Sequence, residues 1–383
     1  AKYFGLIRGI VGIFMFGIQT YFLSKAIGYL IRILIFSIDN STLDQEIFLT
    51  FLLGLNIIDW ISFIFVIIFQ AVMFSVGIQF NKKLINISAI AVYTGMILFF
   101  FSIFLSDVKV TSKAFIDILN YKNFLDISNI VPLLTVAGTI FAYFSIIIIS
   151  FGDFSRHVKD EDNLKKGNLS LILNLVIFSF FAVFIVIGSD AFLNQKFEDI
   201  NRIFTNPTDI IGKFDNLQIT TIVLFFIIVG SASTNLVANF IPSQYSLINF
   251  MPTSLTLKSA SYTISIIGFV IGIFWLTFLS QIGILSLIDT FGSFFGPIFG
   301  VIIVDYYLIK ESNLSNKDLY LPESKSIYYY SNGWHIKAIY SLALGFIFSA
   351  STIWNVNLMF LQSYAWIIGA IVSSLTYYLL AKK

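Results

Sequence analysis

The chain has 383 residues, of which 57% are hydrophobic and 11% are charged, and it contains no cysteine. A soluble domain has about 25% charged residues, so this chain has too few charges to cover a surface in water. The absence of cysteine excludes disulfide frameworks and thiolate metal sites. A net charge of +2 is too small for a nucleic-acid interface, which needs a clustered basic patch, so we expect no nucleic-acid partner.

Ten largely apolar runs, each near the roughly 20 residues that a membrane helix requires, follow one another along the chain. The runs are Gly9–Leu30, Phe51–Val76, Leu84–Leu105, Ile127–Phe151, Leu169–Gly188, Ile219–Ile241, Ser259–Leu279, Leu285–Ile309, Ile336–Ile353 and Leu358–Leu380. Most lysines and arginines fall in alternate breaks, and basic loops remain cytoplasmic. The pattern predicts an all-α polytopic membrane protein, a single transmembrane domain over residues 1–383, with both ends of the chain in the cytoplasm.

Residues that could carry covalent chemistry are scarce. The two histidines, His157 and His335, both lie at predicted membrane edges, where an interfacial loop position explains them. No pair of histidines with metal-ligand spacing occurs inside a run, and a membrane-embedded enzyme needs a buried base or a metal ligand. We therefore expect no catalytic residues, no enzymatic activity and no cofactor.

Uncharged polar residues are concentrated in the sixth run, where Gly230-Ser231-Ala232-Ser233-Thr234-Asn235 is followed by Asn239. Hydroxyl oxygens suit a hard monovalent cation, but Ser, Thr and Asn also join membrane helices by hydrogen bonds. The pattern alone leaves both interpretations open. Gln19 in the first run also has two interpretations, a contact between helices or a position on a substrate path.

Asp59 is an acidic residue inside the second run. An ionised carboxylate is costly in the membrane unless it is paired or close to the interface. Lys25 and Arg32 of the preceding run are the candidate partners. A proton relay at Asp59 is the alternative.

Four motifs occur in a fixed order along these runs. They are Gly17-Ile18-Gln19-Thr20, Gly152-Asp153-Phe154-Ser155-Arg156, Ser233-Thr234-Asn235-Leu236-Val237-Ala238-Asn239 and Gly296-Pro297-Ile298-Phe299-Gly300 with the residues that continue to Leu308. A loop with Asp318-Leu319-Tyr320 and Gly333-Trp334 follows the last of them. Together they resemble the nucleobase–cation symporter-1 family, the permeases for cytosine, uracil, purines, allantoin, hydantoins and thiamine.

The resemblance implies a fold with a five-plus-five inverted repeat around a site at the membrane midplane. The family has twelve helices, and the motif order assigns the ten runs to its third through twelfth helices. The first two helices are then missing from this chain, which begins at Ala1 without an initiator methionine. The remaining ligands of the family's sodium site belong to the first helix.

The resemblance also implies roles for particular residues. Gln19 and Asn239 match substrate-binding amides of the family, whereas Ser233, Thr234 and the backbone of Gly230 match ligands of its sodium site. Phe144 lies where the family has a tryptophan that stacks on the substrate, so the aromatic face is kept and the indole N–H is lost. Met15 replaces the other stacking tryptophan, which weakens the aromatic clamp although a polarizable sulfur can contact a ring.

The expected function is secondary active transport. A sodium or proton gradient drives uptake of a nucleobase or a related small heterocycle across the inner or plasma membrane, by alternating access. The expected partners are that small molecule, the coupling ion and the lipid bilayer. The alternatives are a vitamin or amino-acid carrier on the same scaffold, for which Met15 is the reason, and a truncated product that does not transport.

Overall fold

A computed structural model describes residues 2–39, 41–76, 78–120, 126–155, 158–196, 203–214, 216–281, 283–319, 321 and 324–382. Within these ranges the chain is helical apart from its turns and loops, and its β contacts are two isolated bridges, Leu52 with Leu55 and Ser331 with Trp334. Three residues of the motifs and edges noted above, Arg156, His157 and Tyr320, lie outside the described residues.

Ten helices in the described ranges are long and apolar enough to cross a membrane, as the hydropathy pattern predicts. They are α1 (Lys2–Ile38), α2 (Ile57–Ser75), α3 (Ile78–Ser106), α4 (Ile130–Ile149), α5 (Glu161–Lys196), α6 (Leu217–Phe250), α7 (Leu257–Thr277), α8 (Ile284–Ile303), α9 (Ile336–Trp354) and α10 (Ala365–Ala381). Shorter helices are Glu46–Leu49, Val108–Ile118, Phe151–Ser155, Pro207–Ile211 and Asn316–Leu319.

Three of the helices, α1, α5 and α6, extend well beyond the predicted apolar runs, and α6 continues from the predicted end at Ile241 to Phe250. The helix α1 has 37 residues and α5 has 36. Hydropathy marks only the apolar part of such a helix, whereas the backbone hydrogen bonds continue through its polar ends. The last predicted run is more irregular than expected, because its first residues form the 3-10 segment Val356–Tyr364 before α10 begins.

The chain forms two compact units. The first comprises residues 1–123 and 157–281, and the second comprises 124–156 and 282–383. The first unit therefore holds α1, α2, α3, α5, α6 and α7, and the second holds α4, α8, α9 and α10. The single transmembrane domain stays a prediction.

In the first unit, α1 packs against α2, α6 and α7. A cluster of buried apolar side chains joins these four helices: Ile13, Phe16, Ile67, Phe74, Leu236, Phe240 and Ile264. The contact between α1 and α7 is close, because a Cβ atom added at Gly17 would lie 2.6 Å from the Gly268 carbonyl oxygen. This packing holds the side of α1 that carries Gln19 in a defined orientation.

In the second unit, α8 packs against α4, α9 and α10. Small residues bring α8 and α10 together, since a Cβ added at Gly296 would lie 2.2 Å from the Trp366 carbonyl oxygen. Close approach through small residues is typical of helices in membranes. The Gly296-Pro297 motif therefore has a packing role in this unit.

Candidate functional site

A pair of side-chain amides joins α1 to α6. Asn239 Nδ2 donates a hydrogen bond of 2.8 Å to Gln19 Oε1, and Gln19 Nε2 donates one of 3.2 Å to the Ser231 carbonyl. Gln19 is half-buried and Asn239 is buried. The fold thus brings the two predicted substrate-binding residues, 220 positions apart in the chain, into direct contact.

The amide pair continues into a buried polar network. Asn239 Nδ2 also donates to Asn235 Oδ1 at 3.0 Å, as expected for residues one helical turn apart. Asn235 Nδ2 donates to Thr20 Oγ1 at 3.0 Å and to Gln70 Oε1 at 3.3 Å, and Thr20 Oγ1 donates to the same Gln70 oxygen at 2.9 Å. The side chains of Thr20, Gln70 and Asn235 are fully buried, so α2 supports the amide pair from behind.

The backbone of α6 changes its hydrogen-bond pattern at this network. Asn235–Phe240 is a π-helical segment, and π segments are frequent at functional sites. Pro242 follows and has no N–H to donate to the Ala238 carbonyl four residues before it. Arg8 Nη2 donates to that carbonyl at 2.8 Å, and Arg8 is almost fully buried. A cationic side chain of α1 therefore satisfies a carbonyl that the proline leaves without its helical donor.

One turn of α6 gathers the oxygen atoms of the predicted cation ligands. Ser233 Oγ donates to the Gly230 carbonyl at 3.2 Å, and Thr234 Oγ1 donates to the same oxygen. Since each hydroxyl uses its hydrogen in this contact, its lone pairs remain available as ligands. A mostly apolar cavity of about 290 Å³ lies beside this turn, and α3, α5 and α6 line it. Three hard oxygen atoms of this kind fit part of a monovalent cation site.

The two predicted ring contacts, Met15 and Phe144, lie on different units. Met15 is half-buried on α1, one helical turn before Gln19. Phe144 is half-buried on α4 of the second unit, where its ring meets Tyr143 edge to face at a centroid distance of 5.3 Å. Their contact with a substrate stays a prediction.

The interpretation of Asp59 as a paired carboxylate is confirmed. Asp59 Oδ2 lies 3.2 Å from Lys25 Nζ, and Oδ1 lies 3.0 Å from Arg32 Nη2. The carboxylate also completes a capping box with Asn56 at the start of α2. Asp59 therefore has a structural role in the first unit.

A separate polar cluster lies at the end of α8. Tyr377 Oη donates to Asp305 Oδ1 at 2.6 Å, and His335 Nε2 lies 2.9 Å from Tyr377 Oη. His335 directly precedes α9, and its ring stacks on the ring of Tyr330 with a centroid distance of 3.9 Å. Burial lowers the pKa of His335, and the negative charge of Asp305 opposes that shift in part. Lys310 forms an ion pair with Asp305 and closes the cluster.

Similarity to known proteins identifies the family of this chain. A family described as permeases for cytosine/purines, uracil, thiamine and allantoin matches residues 3–371. This chain belongs to that permease family. The resemblance that the four motifs indicate is therefore confirmed.

Two relatives within the permease family show how far the similarity extends. The purine-uracil permease NCS1 of Arabidopsis thaliana is 26% identical over 206 residues, which are 54% of this chain and 33% of that protein. The allantoin permease of Bacillus subtilis (strain 168) is 23% identical over 244 residues, which are 63% of this chain and 48% of that protein. The chain thus spans half or less of the length of these curated relatives.

One solved structure is similar in fold to this chain. Mhp1, described as a nucleobase-cation-symport-1 family transporter in a closed conformation with bromovinylhydantoin bound, is 17% identical and has a TM-score of 0.66. The similarity covers 97% of this chain and 74% of that one. The predicted fold class, a helical membrane protein with an inverted repeat, is confirmed.

The sequence motifs point to some of these residues and miss others. Gln70 was not predicted, although it is an amide inside the apolar run of α2, which is a signal of interior contact. Arg8 was not predicted either. Its role depends on the carbonyl that Pro242 leaves free, which a linear pattern does not reveal.

Proposed function

We propose that this permease family member takes part in secondary transport of a nucleobase-like heterocycle. The observation that carries the proposal is the contact between Gln19 and Asn239, two amides on different helices of one unit. A cyclic amide such as uracil or allantoin presents N–H and C=O groups along one edge. Side-chain amides match both kinds of group, because each has donors and acceptors.

The free hydrogen-bonding capacity of the pair supports this assignment. Both amide hydrogens of Asn239 are used within the protein, toward Gln19 and Asn235. Its carbonyl oxygen then remains to accept from a ring N–H, while the second amide hydrogen of Gln19 can donate to a ring carbonyl. In this scheme Met15 of the same unit contacts the edge or face of the ring, and stacking by Phe144 stays a prediction from the family resemblance.

The proposed coupling ion is sodium or a proton. A bound sodium ion supplies positive charge that holds oxygen atoms of neighbouring helices together. Gly230, Ser233 and Thr234 would provide three of its ligands on α6. Ordering of this turn also orders Ser231, whose carbonyl accepts from Gln19, and this connects the cation site to the substrate site.

The proposed setting is a multi-pass protein of the inner or plasma membrane with both ends of the chain cytoplasmic. Alternating access then exposes the amide pair first to one side of the membrane and afterwards to the other side. The substrate meets no nucleophile or base in this scheme, so it crosses unchanged.

Uptake into proteoliposomes tests the proposal. Radiolabelled uracil, cytosine, allantoin and hydantoin are compared with a sodium gradient, with a proton gradient and with neither. We expect uptake of at least one heterocycle and its loss without the gradient. Saturable uptake of an amino acid or of a vitamin other than thiamine, with no heterocycle accepted, would instead support a different carrier on this scaffold.

Variants of the hydroxyl turn separate the two ions. Ser233→Ala and Thr234→Ala each remove one oxygen and are expected to raise the sodium concentration for half-maximal uptake. Thr221→Ala is a matched control, because this exposed hydroxyl of α6 bonds only within its own helix. Unchanged sodium dependence in both site variants would contradict the cation assignment.

A further inference from the structure

Asp289 is a buried carboxylic acid in the second unit, on the first half of α8. It is 2% exposed. It is also the one charged residue in the sequence of α8, Ile284–Ile303. A titratable group at such a position inside a membrane helix is a functional-site candidate.

The neighbours of Asp289 are uncharged. Gln362 Nε2 donates to Asp289 Oδ2 at 3.0 Å and to Ser286 Oγ at 3.2 Å. The side chain of Thr139 on α4 faces the carboxyl group. Asp289 Oδ1 has no hydrogen-bond partner of standard geometry among the described residues. Gln362 therefore holds one oxygen of the carboxyl group at hydrogen-bond distance, and the neighbours of the group are neutral side chains.

Lys337 is the one cationic residue in the four elements α4, α9, α10 and Val356–Tyr364 that pack against α8. The helices α4 and α10 and the segment Val356–Tyr364 contain no Lys, Arg, His, Asp or Glu, and α9 contains only Lys337. Lys337 lies two residues from His335, in the cluster around Asp305. Asp305 follows Asp289 by 16 positions, which is about 24 Å along a helix. No described cation therefore compensates a charge on Asp289.

The contrast with Asp59 shows what an ionised buried carboxylate has in this protein. Asp59 is 4% exposed, nearly as buried as Asp289, and it has two cationic partners at 3.2 Å and 3.0 Å. The ionised form of an unpaired carboxylate is strongly disfavoured in a buried position, so such a group takes up a proton instead.

We propose that Asp289 is a proton-binding site of the second unit, with its carboxyl group protonated at neutral pH. The bond that forms is O–H on the carboxylate. The proton comes from a hydronium ion of the aqueous phase, whose O–H bond breaks to leave a water molecule. A protonated Oδ1 becomes a donor, for which the Thr139 hydroxyl oxygen is an acceptor. Gln362 continues to donate to Oδ2, so the neutral acid has partners on both oxygens.

The orientation of Gln362 favours a proton over a metal cation at this position. Its amide nitrogen, a donor, lies against both Asp289 Oδ2 and Ser286 Oγ. A metal cation would need acceptor oxygens turned toward the same space. The described residues also contain no cluster of three or more His, Cys, Asp or Glu that could hold a metal ion.

The proton site stands independently of the proposed function, whereas its use in coupling rests on that function. Gln362 belongs to the Val356–Tyr364 segment that leads into α10. Movement of this segment against α8 would hydrate the carboxyl group and release the proton. Asp289 would then carry the proton that couples to transport of the heterocycle.

Infrared difference spectroscopy on the full chain in lipid nanodiscs tests the inference. At pH 7 we expect a carbonyl stretching band of a protonated carboxylic acid that shifts on exchange into deuterated water. Asp289→Asn is expected to remove this band, and Asp59→Asn is expected to keep it. Asp289→Glu keeps a carboxyl group and is expected to retain a band at a shifted position.

Three outcomes would overturn the inference. The first is a wild-type protein without such a band, and the second is a band that persists in folded Asp289→Asn. The third is a band that disappears when sodium chloride replaces choline chloride at constant pH, which would make Asp289 a sodium ligand.

Binding of labelled allantoin, uracil and hydantoin to the same samples keeps the two proposals apart. Loss of the band in Asp289→Asn together with no heterocycle binding in the wild type would leave the proton site in place and overturn the proposed function. Heterocycle binding with a persistent band in Asp289→Asn would do the reverse.

Discussion

Asn239 on α6 donates a hydrogen bond of 2.8 Å to the side-chain oxygen of Gln19 on α1. The contact fixes the orientation of both amides, since Gln19 Nε2 is directed to the Ser231 carbonyl at the same time. On the proposed function, a substrate would meet preorganised donors and acceptors, which would reduce the entropy that binding must overcome.

Replacement of Asn239 tests this preorganisation. Asn239→Leu leaves Gln19 Oε1 and Asn235 Oδ1 without their donor and removes the carbonyl offered to the substrate. An unsatisfied polar group costs about 1–3 kcal/mol, so the Kd for the preferred heterocycle should rise about 5- to 150-fold. Equilibrium binding of the labelled compound measures the change.

Gln244→Leu is the matched control for that variant. Gln244 is a buried amide of the same helix, but it bonds to Ser261 Oγ and to the Leu257 carbonyl, away from the amide pair. The control should lower the Tm and leave the Kd of the folded protein unchanged. Equal changes of Kd in both variants would contradict a specific role of Asn239.

Gln70 is expected to act as a positioning residue behind the amide pair. Gln70→Leu removes the oxygen that accepts from both Thr20 and Asn235, so Asn235 and then Asn239 lose their orientation. The ratio of uracil to allantoin affinity should change as well as the affinities themselves. Gln70→Glu keeps an oxygen that can accept from Thr20 and Asn235. It replaces Nε2, which has no hydrogen-bond partner among the described residues. It should restore the wild-type ratio, whereas a purely structural role would change Tm alone.

A substitution at Gly296 tests the packing of α8 on α10, and one at Gly167 on α5 is the control. Gly296→Ala places a Cβ 2.2 Å from the Trp366 carbonyl oxygen and should destabilise the protein by about 1–3 kcal/mol. Gly167→Ala on α5 meets no atom within 4 Å and should stabilise by up to about 1 kcal/mol, because alanine favours the helix. Thermal unfolding in detergent distinguishes the two, and a stabilised Gly296→Ala would show that the helices lie farther apart.

Acid is expected to destabilise the second unit through His335. Burial lowers its pKa in the folded protein below the value of about 6.5 for an unfolded chain, so the folded state binds the proton less readily. Its contribution to stability is full above that unfolded value and is lost as the pH falls through the folded pKa. The groups that face it are Asp305, Lys310, Lys337, Tyr330 and Tyr377.

The measurement is the Tm between pH 8 and pH 5 for wild type and His335→Gln. The difference in Tm between the two proteins should be largest at pH 8 and should shrink toward pH 5, because only the wild type takes up this proton. Parallel curves over the whole range would show that His335 does not titrate in this window.

Much of the architecture was accessible from hydropathy, because the membrane excludes polar backbone that is not hydrogen-bonded within a helix. Each of the ten apolar runs overlaps one of the ten apolar helices in the described part of the chain, and the errors are confined to the helix ends. The helices α1 and α5 continue through polar residues, and the last run begins in a 3-10 segment. The candidate site was accessible only through the resemblance, since a single glutamine such as Gln19 in an apolar run is more often a contact between helices.

The amino-acid sequence by itself indicated that lipid surrounds the chain, predicted the ten apolar helices found in its described part, and identified the family. These features depend on composition and on motifs that are local in the chain. Tertiary structure decided which polar residues meet. Gln19 and Asn239 are 220 positions apart, and Gln70 reaches them only because α2 packs behind α1. Two buried carboxylates of equal chemistry, Asp59 and Asp289, differ because helix packing places two cations beside one and only uncharged groups beside the other. The rotation of each helix about its axis sets these contacts, and it depends on neighbours that are distant in sequence.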